Sequence, residues 1–101
     1  MPSTTSTYRH IGTGTSFIQV GDKPVIELRQ FGQSVTLPDD FALQAIKGGR
    51  ALFIPDQKFE ELGISSEDLQ KYAAPGQQAP EEFRQKQIEA MQALHDLQST
   101  L

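Results

Sequence analysis

Apolar positions along the chain follow two spacings. Up to residue 54 they come mostly in short runs: Ser16-Phe17-Ile18-Gln19-Val20, Val25-Ile26-Glu27-Leu28-Arg29, Gln33 to Leu37, and Ala51-Leu52-Phe53-Ile54. Runs of this length, rich in β-branched and aromatic residues and bounded by turn residues, predict strands. Gly21-Asp22-Lys23-Pro24 separates the first two, so a hairpin is expected there. One helix interrupts the strands. Pro38 presets φ for a first turn and Gly48-Gly49 can supply a left-handed stop, so Asp39 to Lys47 is expected to be helical, with Phe41, Ala42, Ala45 and Ile46 facing the core.

The same punctuation then recurs, with Ile54-Pro55-Asp56 echoing Leu37-Pro38-Asp39 and Phe59 and Leu62 preceding Gly63. The echo is too short for a repeat; shared helix-entry chemistry accounts for it. In Ile64-Ser65-Ser66-Glu67-Asp68-Leu69, Ser65 stands where an N-cap accepts a backbone N–H, Asp68 stands at the acid-favouring third position, and Ile64 and Leu69 can form a hydrophobic staple. A short helix to about Ala73 follows, with Tyr72 available for packing. Pro75-Gly76-Gln77-Gln78-Ala79 reads as a linker.

From Pro80 onward the spacing is that of one long helix. Pro80 suits its first position, Glu81 and Glu82 favour its positive end, and Glu82 and Lys86 are spaced as an i,i+4 pair. Phe83, Ala90, Leu94, Leu97 and Leu101 line one narrow face, with Met91 on its shoulder and Gln87 interrupting it. These six apolar residues are the candidate partner-binding site. The same stripe could instead pack on its own domain, since a small domain needs the apolar area it can gather.

The expected organisation is therefore an arm over residues 1–7, too polar to order itself, a domain over 8–74, a linker over 75–79 and a docking helix over 80–101. The fold class is α+β: a small antiparallel sheet or partial barrel, short helices packed on one side, and a helical tail.

Composition narrows the chemistry. The 101 residues carry no cysteine, which removes disulfides and thiolate metal sites. No apolar run approaches the ~20 residues of a membrane span, and the N-terminal segment lacks the pattern of a signal peptide, so neither membrane insertion nor secretion is expected. The net charge is −4, and the basic residues stand singly from Arg9 to Lys86 without a stripe that could neutralise a row of phosphates. Nucleic-acid binding is accordingly not expected.

Gly12-Thr13-Gly14-Thr15 lacks the Gly-Lys-Ser/Thr of a phosphate loop and reads as a turn or bulge. His10 and His95 are far apart without a helical metal-binding partner; His10 is expected beside an edge strand and His95 on a solvated helix flank. Asp39 and Asp40 are adjacent, and neighbours on a helix do not face each other, so they read as helix-start acids. No G-x-S-x-G elbow is present. The residues nominate no catalytic, cofactor or metal site.

Gly32, Val35, Leu37, Pro38, Ala42, Ile46, Gly49 and Ala51 form a pattern similar to one in small structural proteins encoded in the virion-morphogenesis modules of tailed bacteriophages. The resemblance covers about a fifth of the chain. It implies a non-enzymatic virion component, a capsid decoration, head-completion or head–tail connector piece, assembled in a host cytoplasm and contacting other virion proteins or copies of itself. The matched positions are structural and carry over no binding residues. A second resemblance lies in Phe31-Gly32-Gln33-Ser34-Val35-Thr36-Leu37-Pro38, which is similar to the hairpin segment of swapped-hairpin antitoxins and AbrB-like regulators. It implies a DNA-binding dimer with a toxin-wrapping tail. The acidic balance, the missing basic residues around the hairpin and the strand-rich segment before it depart from that pattern.

Overall fold

The first strand organises the molecule although most of its side chains are polar. The computed structural model describes residues 4–74 and 77–101, and within them β1 (Thr5–His10) runs down the middle of a three-stranded antiparallel sheet, between β4 (Ser34–Pro38) and β5 (Phe53–Pro55). Its register pairs Thr5 with Pro38 and Tyr8 with Val35 on one side, and Tyr8 with Pro55 and His10 with Phe53 on the other. The arm expected over residues 1–7 therefore ends by Thr4. Thr5, Ser6 and Thr7 keep their side chains in solvent while their backbone completes a ladder, which hydropathy does not register. The first three residues of that arm lie outside the described ones.

A second, two-stranded sheet is the expected hairpin, made of β2 (Ser16–Ile18) and β3 (Ile26–Leu28), with Phe17 opposite Glu27 and Ile18 opposite Ile26. Its ladder is shorter than the sequence runs. Gln19 turns its side-chain amide onto the Lys23 carbonyl, and the Lys23 N–H goes to the Val20 carbonyl, so residues 19–25 form a loop closed on itself. The α+β class holds, as two small antiparallel sheets without barrel closure.

Helix α1 (Asp39–Lys47) occupies the expected span and buries Ala42, Ala45 and Ile46. It ends in a Schellman arrangement: the Arg50 N–H reaches the Ala45 carbonyl, the Gly49 N–H reaches the Ile46 carbonyl, and Gly49 sits at φ 74°. The echo after β5 is structural as well. Helix α2 (Asp56–Glu60) again follows a proline and opens on an aspartate, and the chain again turns left-handed at Gly63.

Both leading aspartates are held by the central strand. Thr4 Oγ1 donates to Asp39 at 2.6 Å and the Tyr8 hydroxyl at 3.1 Å, while Arg9 bridges to Asp56 at 3.2 Å and lies 4.5 Å over the Phe59 ring. Helix α3 (Ser66–Tyr72) is capped as expected, the Ser65 hydroxyl accepting the Asp68 N–H at 3.1 Å.

Helix α4 (Glu81–Thr100) starts one residue later than expected, with Pro80 extended as its N-cap. Lys86 lies 3.9 Å from Glu89 rather than pairing with Glu82, an exposed contact of little energetic consequence. The linker begins at Pro75 and Gly76, which are outside the described residues; Ala79 packs partly on the core.

Helix α4 lies against α1 and β5. The radius of gyration, 13.4 Å, matches the ~13 Å of a compact domain of this length.

Candidate interaction surface

The six nominated residues of the C-terminal helix divide by depth. Phe83, Ala90 and Leu94 are buried in the chain's own core, Met91 and Leu97 pack partly on it, and Leu101 is exposed. The stripe is thus corrected from a partner face to a core face along most of its length. The reason is aromatic. Phe83 packs edge-on against Phe31 at 5.6 Å and tilts against Tyr72 at the same distance, and Phe31 continues the cluster to Phe59 at 5.5 Å. Such pairs add to the area each ring buries, so the home site outcompetes an exposed stripe.

A different face of the same helix remains open. Arg84, Gln87, Ile88 and Met91 recur at i, i+3, i+4 and i+7, and they form one wall of a cleft of about 520 Å³. The Gly12–Thr15 loop, with Ile11, Ser16 and Leu52, lines the rest of it. Leu52 is 42% and Ile88 61% exposed.

The loop wall is shaped by a buried histidine. His10 is fully buried at the end of the central strand, not beside an edge as expected, because β1 is paired on both sides. Its Nε2 lies 3.0 Å from the Gly14 carbonyl; since a carbonyl only accepts, Nε2 carries the proton. Nδ1 is buried without a partner. A Cβ on Gly12 would come within 2.8 Å of the His10 ring, so the loop closes over the imidazole only with glycine there. The Ile11 N–H joins the Leu52 carbonyl at 2.9 Å and fixes the loop's base.

The cleft is mostly apolar, with one unbalanced charge. Arg84 is exposed and forms no ion pair among the described residues. The perturbed groups lie elsewhere, where β1 meets α1. Hydrogen bonds from Thr4, then Ser6, hold the Asp39 carboxyl below its ordinary value; burial opposes them, and the bond from Tyr8 adds less than burial takes away. Burial, then the bond to Asp39 and its charge, push the Tyr8 hydroxyl up to about 12. These groups tie a helix to a strand and do not line the cleft. Among the described residues no three His, Asp or Glu side chains come together as a metal site, and no helix is long and apolar enough to cross a membrane.

A second exposed apolar feature is the hairpin. Phe17 is 69% exposed on the face opposite the buried Ile18 and Leu28, and it stands directly across from Glu27. Val25, just before β3, is 54% exposed. Sequence reasoning did not nominate Phe17, Leu52, Arg84 or Ile88. The available signals were Ile88, an isoleucine outside the Phe83/Ala90/Leu94 stripe, and Phe17, whose parity in the strand opposes Ile18.

No family model, curated protein or solved structure matches the chain.

Proposed function

We propose that the chain is a non-enzymatic structural component of a bacteriophage particle, a decoration or cement protein or a head–tail connector, acting through protein–protein contacts. The observation that carries this reading is the convergence of Leu52, Ile88 and Met91 on one open cleft, in a molecule that also displays Phe17 and Val25. Single exposed apolar residues are ordinary, but several converging on a concavity mark a contact surface. The cleft is in the size range of a small-molecule pocket, yet among the described residues its one charged side chain is Arg84 and no carboxylate or histidine lines it, which favours a macromolecular contact over substrate chemistry.

The residues of the phage-like pattern are consistent with a shared fold: Leu37, Ala42, Ile46 and Ala51 are core, and Gly32 is left-handed at φ 86° with Leu69 and Phe59 pressed against it. For the antitoxin-like alternative, Ser34–Pro38 finds its antiparallel partner in β1 of the same chain, so its ladder needs no exchanged strand.

The test is co-sedimentation of the purified protein with phage heads and with assembled particles. Saturable association with either is expected, together with no sequence-specific submicromolar retention of duplex DNA in a gel shift. Specific DNA retention without particle association would overturn the proposal and favour the regulator.

A further inference from the structure

We propose that the cleft beside α4 receives the Phe17 face of a second copy of this chain. The inference deepens the structural-component reading by naming one of its partners, and it rests on that reading. Two surfaces of one molecule complement each other. The cleft offers an apolar lining of Leu52, Ile88 and Met91 and an exposed guanidinium, Arg84, with no carboxylate partner among the described residues. The hairpin offers an aromatic ring, 69% exposed, with a carboxylate directly across the ladder. Residues paired across an antiparallel ladder have Cβ atoms about 5 Å apart, so ring and carboxylate move as one knob.

Among the described residues Glu27 pairs only with Arg29, at 3.5 Å, with both side chains about half exposed or more. Such a pair contributes little and can be exchanged for Arg84 of another copy, which the apolar walls of the cleft would shield from water. An aromatic anchor entering a concave apolar site beside an arginine has the composition of an interface hot spot.

Knob and socket are different surfaces, so the contact is either head-to-tail, building a ring or filament, or reciprocal about a two-fold axis. The patches are small compared with the ~1,600 Å² of a stable complex, so the contact is weak in dilute solution and strengthens where copies are held side by side.

Sedimentation velocity of the full chain over a wide concentration range tests this, starting from the 11.2 kDa monomer. Association rising with concentration is expected, and Phe17→Asp and Ile88→Glu should each weaken it about tenfold or more. Both positions are exposed, so unchanged circular dichroism shows that the fold is retained. Glu27→Arg and Arg84→Glu should each weaken association, and mixing the two single variants should restore it. The chain has no cysteine, so Gln19→Cys mixed with Gln87→Cys should give a heterodimeric disulfide in preference to either homodimer.

A protein that stays monomeric at millimolar concentration, or whose association none of these variants changes, overturns the inference. If such a monomer still co-sediments with particles, the functional reading stands and the cleft's occupant is another virion protein. If the chain self-associates but binds no particle, the self-contact stands and the virion reading fails.

Discussion

The two faces of helix α4 differ by one residue in sequence and by nearly everything in environment. Phe83, Ala90 and Leu94 are buried, whereas Arg84 and Ile88 look into an open cleft. Hydropathy ranks the first face above the second, which includes Arg84 and Gln87, but it does not say what covers either. What separates them is the presence of complementary rings: Phe31 and Tyr72 await Phe83, and nothing in the described chain covers Ile88. The lesson is that an amphipathic helix following a linker is not by itself a docking element. Its strongest face is taken first by its own domain, and the leftover face is the one available to a partner.

The largest expected effect on this contrast comes from removing residues 80–101. Burying Phe83 and Leu94 is worth roughly 2 kcal/mol or more apiece, so residues 1–79 should lose more than about 4 kcal/mol and melt far below the full chain. A truncated protein with an unchanged thermal midpoint would erase the distinction between the faces. Next in size is Leu94→Ala, expected to cost 2–5 kcal/mol on the usual scale of core truncations, read from the urea midpoint. Ser65→Ala removes the cap of α3, with an expected loss of roughly 0.5–2 kcal/mol. Because α3 buries no residue fully, a result at the low end would place it outside the unit that α4 stabilises.

A pH titration examines α1, against which α4 rests. The Asp39 carboxyl is lowered from 3.8 in the folded chain, so its contribution is present above that value and is lost as pH falls through the folded one. Stability should therefore decline below about pH 4, and Asp39→Asn should flatten that part of the acid limb in denaturation midpoints measured from pH 2 to 6. An identical acid limb in the variant would mean that Asp39 is not tied to Thr4 and Ser6 in solution. The smallest effect belongs to the open face. Ile88→Ala should shift stability by no more than about 0.5 kcal/mol, and a loss like that of Leu94→Ala would show that the cleft is closed in solution.

Local signals were legible wherever a few adjacent residues decide the geometry. The span of α1, its glycine stop, the Ser65 cap and the hairpin follow from turn and capping chemistry that acts within about six residues. Thr5 to Thr7 were not legible, because they contribute backbone to a ladder whose partner lies some thirty residues away. The same distance hid His10: its burial depends on β4 and β5 arriving from both sides.

By itself, then, the sequence determined the hairpin, the span of α1, the Ser65-capped helix and the long C-terminal helix with its apolar stripe, since each is set by local conformational preference and by the periodicity of one element. Only the tertiary structure decided which stripe of α4 becomes core, that β1 is the central strand, and that a glycine loop closed over His10 forms a cleft with Leu52 and Ile88. Those outcomes depend on which distant surfaces fit one another, and shape complementarity between elements far apart in the chain leaves no mark on the pattern of either one alone.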